Sequence, residues 1–173
     1  MQRLLVVVDY QNDFVDGALG FKGAEKIAPR IVELIKEFRA NNDEVVFTYD
    51  THDADYMNTN EGKYLPAPHC IEGSKGWELH PSIKDLVGSS KVFIKHDFGS
   101  KELGHYIEQG NYDEIHLCGL VSDICVLSNA IIAKSSASPY AKIKIVRDAT
   151  SSFDLDMQEK AFDVLKHLHM EII

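Results

Sequence analysis

The sequence predicts an α/β fold, namely a three-layer α-β-α sandwich around a central, mostly parallel sheet of five or six strands. Short apolar runs rich in branched residues alternate with segments whose apolar residues recur at helical spacing. Such runs are typical of strands buried on both faces, and regular strand–helix alternation indicates parallel βαβ units. No repeat or Pro/Gly-rich linker divides the chain, so we expect one domain over residues 1–173.

The candidate strands are residues 4–8, 44–49, 91–95, 114–118 and 142–146, with residues 170–173 as a weaker sixth. Four apolar stripes predict the helices between them: Ile27/Ile31/Leu34/Ile35/Phe38, Leu103/Tyr106/Ile107, Ile124/Leu127/Ile131 and Met157/Ala161/Leu165/Leu168. One connection, at about residues 51–90, is too long for a simple turn. A connection of that length in a compact domain usually has a function, so we expect a metal-binding or lid loop there.

Composition excludes several classes of protein. Hydrophobic residues make up 45% of the chain and charged residues 26%, as expected of a soluble globular domain. A formal net charge of −9 argues against binding to nucleic acid or to an anionic membrane surface. No apolar run approaches the roughly 18 residues that a membrane span needs. The first apolar run meets Asp9 too early for a secretory signal, and three cysteines argue against a disulfide scaffold, so we expect a cytoplasmic protein with reduced thiols.

Charged side chains follow two of the predicted strands. Asp9 ends the first strand, and Lys95 ends the third. Ligands of open parallel sheets bind beyond the carboxyl ends of the strands, and a buried charge there needs a partner. The two residues are therefore expected to share one cleft and to pair. On strand ends alone, a purely structural ion pair explains them equally well.

Cys125 favours a catalytic interpretation. The segment from Cys118 to Cys125 is predicted to be a strand end, a tight turn at Gly119 and a helix start, with Ser122 or Asp123 as the N-cap. The helix N-terminus would favour a thiolate at Cys125, and its free N–H groups could stabilise an oxyanion. A lone buried cysteine is more often a small core residue, and Cys118 fits that description. Beside a carboxylate and an ammonium, Cys125 is better interpreted as an activated nucleophile.

A second cluster of polar residues follows the second strand. Asp50 and His52 point the same way in extended chain, and His69 in the long connection could supply a third ligand, with Glu61 as a candidate fourth. Three N/O ligands that leave open positions are typical of a catalytic metal site. Solvated loop histidines are the simpler alternative. The remaining six histidines lack such spacing and are interpreted as surface or packing residues.

These motifs occur together in one known family. The residues that carry the resemblance are, in chain order, Asp9-Tyr10-Gln11-Asn12-Asp13-Phe14, Asp50-x-His52, Pro68-His69-Cys70, Lys95 and Gly119-Leu120-Val121-Ser122-Asp123-Ile124-Cys125. In this combination the chain resembles the nicotinamidase branch of the isochorismatase-like cysteine hydrolases, from about residue 4 to residue 148. The resemblance implies a Rossmann-like topology and a single hydrolase domain.

The resemblance also implies roles for individual residues. The catalytic triad would be Asp9, Lys95 and Cys125, with Lys95 orienting Asp9 and lowering the pKa of the thiol. The Leu120–Val121 peptide bond would be cis, and the backbone amides of Val121 and Cys125 would form the oxyanion hole. A divalent metal, zinc first and iron or manganese as alternatives, would be bound by Asp50, His52 and His69, with Glu61 adding to the shell in some members.

The implied activity is hydrolysis of a small carboxamide to the acid and ammonia through a thioester, with nicotinamide as the leading substrate. Pocket walls are expected from Phe14, Tyr64, Phe98 and Leu120. One departure concerns the position three residues before the third metal ligand, where Pro66 replaces the aromatic residue that many nicotinamidases have. Family members are often homo-oligomers, and the same is expected here.

Three alternatives stay open at this level. A metal-independent relative could cleave another small amide, although Asp50, His52 and His69 argue against that. A non-catalytic member could bind a small molecule and keep the fold, since fold does not imply function. A thiol-based redox sensor is a further option, but no resolving cysteine follows Cys125 closely in the sequence.

Overall fold

The computed structural model describes residues 1–173 and is built on a six-stranded sheet with strand order β3-β2-β1-β4-β5-β6. Every neighbouring pair of strands is parallel. The strands are β1 Arg3–Val8, β2 Glu44–Asp50, β3 Val92–Lys95, β4 Glu114–Leu120, β5 Lys142–Ser151 and β6 Glu171–Ile172. The predicted fold class is confirmed, and the weakest of the six predicted runs forms the edge strand β6.

Seven α-helices connect and flank the strands. They are α1 Asn12–Val15, α2 Ala28–Ala40, α3 Asn60–Tyr64, α4 Pro81–Lys84, α5 Lys101–Gln109, α6 Leu127–Ser136 and α7 Leu155–His167. Short 3-10 turns lie at Ala24–Ile27 and Tyr56–Asn58, and a π-helical turn at Ser122–Val126 leads into α6. A membrane crossing would need a longer and more apolar helix than any of these.

Each face of the sheet has its own hydrophobic core. Along β1, Leu5 and Val7 pack with α2 and α4 on one face, while Val6 and Val8 pack with α5, α6 and α7 on the other. Successive side chains of a strand point to opposite faces, so an unbroken apolar strand can serve both cores. The rigid centre of the sheet therefore fixes the positions of the segments that directly follow β1 and β4.

The buried faces of two helices differ from the predicted stripes. In α6 the small residues Ala130 and Ala133 are buried, whereas Ile131 is 40% exposed. The helix packs closely against α5, where a side chain larger than a hydrogen at Gly104 would meet Ile132, so small residues suit this contact better than large ones. In α7 the core contact is made by Phe162 and its neighbours, while Met157 and Leu168 are exposed.

The long connection between β2 and β3 is fixed to the end of β1 by three consecutive side chains. The Gln11 amide donates to the Trp77 carbonyl (2.8 Å), and the Asn12 amide donates to the Lys75 carbonyl (2.7 Å). The Asp13 carboxylate accepts from the Cys70 N–H (2.7 Å). Buried backbone groups of an irregular segment need such partners, and these bonds fix the segment beside the end of β1.

Gly119 provides a test of how closely β1 and β4 approach. It has φ of +107°, and a Cβ atom there would lie 2.0 Å from the Val8 carbonyl oxygen. We expect Gly119→Ala to lower the free energy of unfolding by about 3 kcal/mol or more. Gly88, with φ of +54° and open space around it, is the matched control, and Gly88→Ala should cost about 1 kcal/mol. Equal losses in denaturant titrations of the two variants would contradict this assignment.

Candidate active site

The strand order places a crevice between the carboxyl ends of β1 and β4. From β1 the chain adds strands first on one side and then, after β3, on the other. In open α/β sheets, ligands bind where the strand order reverses in this way. Asp9 follows β1, Asp50 and Lys95 end β2 and β3, and Cys125 lies in the turn after β4. All four residues are therefore delivered to the same edge of the sheet.

Lys95 makes an ion pair with each of two buried carboxylates. Its ammonium nitrogen Nζ lies 2.6 Å from Asp9 Oδ2 and 3.2 Å from Asp50 Oδ1, and all three side chains are almost completely buried. Burial alone would lower the pKa of Lys95, but the negative charges, above all that of Asp9, raise it well above its ordinary value. Lys95 is therefore a fixed positive charge between the two carboxylates.

The thiol of Cys125 lies next to this ion pair. Its sulfur Sγ is 3.6 Å from Lys95 Nζ, and the residue is 5% exposed and lines a cavity. Burial raises the pKa of the thiol well above its ordinary value; Lys95 opposes that rise, while Asp9 adds to it by charge and by a hydrogen bond. The expected thiolate is therefore not favoured here. The favoured state is a neutral thiol near the Asp9 carboxylate.

Thr48 holds Asp9 in place and was not recognised from the sequence. Its hydroxyl donates to Asp9 Oδ1 (2.6 Å) and accepts from the Asp9 N–H (3.3 Å). Burial raises the pKa of Asp9, and Lys95 and Thr48 oppose that rise. Thr48 on β2 pairs with Val8 on β1, the residue before Asp9. The signal in the sequence was therefore a hydroxyl residue within the otherwise apolar part of β2.

The turn after β4 presents backbone groups to the same cavity. The Leu120–Val121 bond is cis, as the resemblance implied. Val121 lines the cavity, and its N–H donates to no other group of the chain. The predicted side-chain cap is wrong: Val121 is the N-cap residue, and no side chain caps the helix. Instead, the Ser122 hydroxyl bonds to Thr150 and Gln158, tying the turn to β5 and α7.

Asp50, His52 and His69 converge on one point. The Nε2 atoms of the two histidines lie 3.1 Å and 3.3 Å from Asp50 Oδ2, and all three residues are buried. The carboxylate of Glu61 is 3.5 Å from His69 Nε2 and 3.8 Å from His52 Nε2. Although burial raises the pKa of Asp50, hydrogen bonds from the histidines and the charge of Lys95 hold it below its ordinary range.

This donor set fits a divalent metal ion. The ring nitrogen Nδ1 of His69 donates to the Ala67 carbonyl (2.9 Å), which leaves the lone pair of Nε2 for a ligand. One carboxylate and two imidazoles are an N/O set that zinc, iron and manganese accept. The three ligand atoms lie within 4.8 Å of one another, and Glu61 is near enough to join them.

Asp50, His52 and His69 are called the metal-type cluster. A cavity of about 320 Å³ joins the Cys125 thiol to this cluster. Phe14 and Phe98 line it, as do Val121 and Ile124 on the thiol side. Two expected wall residues lie elsewhere. Leu120 is fully buried in the core beneath the sheet end, and Tyr64 is 86% exposed and lines only an adjoining outer cavity.

Six wall residues were missed by sequence reasoning. They come from four separate segments of the chain: Leu19, Gly20, Phe21, Leu65, Ile124 and Phe153. Phe21 and Phe153 meet edge to face, with ring centroids 6.3 Å apart. No spacing in the sequence links residues so far apart, so only the fold reveals that they share a pocket. The result is a pocket with apolar walls and polar groups confined to one side, the usual form of a small-molecule site.

The fold and site together define an α/β protein with a buried Asp–Lys–Cys cluster beside a metal-type cluster. The isochorismatase domain model matches residues 3–173, and the chain belongs to that family. The isochorismatase family protein PncA of Bacillus subtilis is 32% identical over 167 residues, which cover 89% of this chain and 88% of that one. The nicotinamidase/pyrazinamidase of Mycobacterium tuberculosis is 27% identical, with 99% and 98% covered.

Solved structures agree with the sequence comparison. The crystal structure of nicotinamidase/pyrazinamidase PncA from Bacillus subtilis superposes with a TM-score of 0.87 at 31% identity and covers 99% of each chain. The similarity therefore extends over the whole sheet and the long connection, not over a single motif.

Metal binding can be tested apart from catalysis. We expect the purified protein to bind one zinc ion per chain and to unfold at a higher temperature with zinc than with a chelator. His69→Ala should weaken zinc binding more than about 100-fold, because it removes one of three ligands. His105→Ala, which changes an exposed histidine of α5, should bind zinc like the unchanged protein. Equal affinities of all three proteins, measured by chelator competition, would rule out this site.

Proposed function

We propose that this protein is a metal-dependent cysteine amidohydrolase that cleaves a small carboxamide, with nicotinamide as the leading substrate, to the acid and ammonia through a thioester. It is a hydrolase of amide C–N bonds, the class to which its nicotinamidase relatives belong. One observation carries the proposal: the buried Lys95 ammonium lies 2.6 Å from the Asp9 carboxylate and 3.6 Å from the sulfur of Cys125, which lines the cavity.

Acylation begins with the proton of the Cys125 thiol. Asp9 takes this proton as the sulfur attacks the carboxamide carbon, and the fixed charge of Lys95 stabilises the sulfur as it becomes negative. The carbonyl oxygen gains a negative charge in the tetrahedral intermediate. In this proposal the N–H of Val121, which has no acceptor within the chain, and the N–H of Cys125 donate hydrogen bonds to this oxyanion, a contribution worth roughly 3 kcal/mol per donor in comparable enzymes.

Acylation ends when Asp9 returns the proton to the amide nitrogen, so that ammonia leaves as the C–N bond breaks and the acyl group stays on sulfur. Deacylation uses the same groups: a water molecule attacks the thioester while Asp9 takes one of its protons. The acid is released, and the proton returns from Asp9 to the Cys125 sulfur. Thr48 keeps one oxygen of Asp9 occupied, so the other serves both half-reactions.

The second cluster positions the substrate. A divalent ion bound by Asp50, His52 and His69, with Glu61 nearby, would supply a Lewis-acid contact for the ring nitrogen of a pyridine amide. That contact would lie at the opposite end of the substrate from the scissile bond, so its role is orientation. Lys95 links the two clusters, because it contacts Asp9 and Asp50 at the same time.

Nicotinamide is supported by the relatives and by the shape of the pocket. Relatives in Mycobacterium tuberculosis and Acinetobacter baylyi bear the name nicotinamidase. The walls of the cavity include Phe14 and Phe98, which suit a flat ring. A second candidate is another small amide, because Pro66 stands where many nicotinamidases have an aromatic residue and the nearby Tyr64 points outside the inner cavity.

The nucleophile can be tested with two cysteine variants. After zinc reconstitution, we expect Cys125→Ala to lose ammonia release from nicotinamide by about 10⁴-fold or more and still to bind nicotinamide. Cys118→Ala, at a buried core thiol outside the cavity, should keep its activity. With hydroxylamine present, the unchanged protein should form the hydroxamate of nicotinic acid, because hydroxylamine intercepts a thioester. Full ammonia release by Cys125→Ala would refute covalent catalysis.

A further inference from the structure

A second cavity, of about 520 Å³, adjoins the catalytic cavity. The two share five wall residues: Glu61, Leu65, Phe98, Ile124 and Phe153. They are therefore two parts of one cleft, with Cys125 at the inner end and the exposed ring of Tyr64 beside the outer part. A single pyridine ring with its carboxamide, held between Cys125 and the metal cluster, would lie in the inner part. The outer cavity is not used by the reaction proposed above.

The polar groups of the outer cavity include several hydrogen-bond acceptors, beside Thr59, Asn60 and Tyr64, whose side chains can also donate. Glu61 and Asp97 contribute carboxylates, and Asp97 uses Oδ1 to accept from the Phe98 N–H (2.7 Å), which leaves Oδ2 available. His96 Nδ1 bonds to the Thr51 carbonyl (2.9 Å). A carbonyl can only accept, so Nδ1 carries a proton, and Nε2 makes no hydrogen bond within the chain. His96, interpreted from the sequence as a surface or packing residue, thus lines a cavity.

Basic side chains are missing from the walls of the cleft. No lysine or arginine lines either cavity, although Lys95 and the metal ion that Asp50, His52 and His69 would hold lie at its inner end, and the chain as a whole has a net charge of −9. Large aromatic surfaces flank the outer part, where Tyr64 is 86% exposed and Phe153 is 64% exposed. Aromatic faces attract cations and offer contact area to the alkyl part of a tail.

We propose that the outer cavity is a substrate subsite for a neutral or cationic, hydrogen-bond-donating extension of the carboxamide. The enzyme would then accept amides larger than nicotinamide, with ammonium-bearing tails bound best. Tails that carry a carboxylate or a phosphate would be disfavoured by Asp97. This inference rests on the proposed function only in placing the reacting carboxamide at Cys125.

The test uses ring-substituted nicotinamides whose tails have equal length and end in an ammonium, a hydroxyl or a carboxylate. Their dissociation constants are measured by calorimetry on zinc-loaded Cys125→Ala protein, so that binding is read without turnover. We expect the ammonium compound to bind roughly tenfold more tightly than the carboxylate compound, and this ratio to shrink at high salt.

Two further substitutions in that background locate the effect. Asp97→Asn should reduce the ammonium-to-carboxylate ratio by about threefold. Asp85→Asn makes the same change in net charge at an exposed carboxylate that lines neither cavity, and it should leave the ratio as it was. A ratio near one, or equal ratios in the two variants, would overturn the subsite.

A separate measurement distinguishes this result from a failure of the proposed function. Ammonia release from nicotinamide by the unchanged, zinc-loaded protein tests the activity, whereas the affinity ratio tests the outer subsite. Tail discrimination without ammonia release would count against the proposed reaction and for the subsite. Ammonia release without tail discrimination would count for the reaction and against the subsite.

Discussion

The buried ammonium of Lys95 is the interaction on which the rest of the site depends. Removing an ion from water costs several kcal/mol even in a real protein interior, so a fully buried lysine persists only with close partners. The partners of Lys95 include two carboxylates, at 2.6 Å and 3.2 Å, and these two carboxylates have different roles. Asp9 is the proton acceptor of the proposed reaction, and Asp50 belongs to the metal-type cluster. With Glu61 nearby, the carboxylates outnumber this single cation, and a divalent cation is the charge that complements them.

The sheet explains why this residue is a lysine and why it stands at this position. Asp50 and Lys95 are register partners on β2 and β3, so their contact follows directly from strand pairing. Asp9 directly follows β1, which lies two strands from β3, a distance of roughly 10 Å across the sheet. Only a long side chain that runs past the end of β2 can bring a positive charge to Asp9. A shorter basic group would stop at Asp50 and leave Asp9 buried without a counter-charge.

How much the sequence could predict depends on whether each feature is local. Strand ends are marked by the change from apolar to polar residues, so Asp9, Asp50 and Lys95 could be identified and placed together. The protonation state of Cys125 could not be predicted from the sequence. A helix start and a nearby lysine favour a thiolate, but burial and two carboxylates oppose the thiolate more strongly. Phe21 and Phe153 meet only through tertiary packing. The buried face of α6 was missed because its small residues, rather than its large ones, make the close contact.

A neutral Cys125 thiol beside a carboxylate changes what the cavity must provide. A preformed thiolate would be stabilised before substrate arrives, whereas here the negative charge moves from Asp9 to sulfur and on to the carbonyl oxygen as the reaction proceeds. Preorganised donors then act only on charge that develops in the transition state, which is the condition for raising the rate rather than the affinity. The product is itself an anion, and the outer cavity that adjoins the catalytic cavity carries the carboxylates of Glu61 and Asp97. The acceptors that would select donor-bearing tails would therefore also oppose retention of the acid once it has formed.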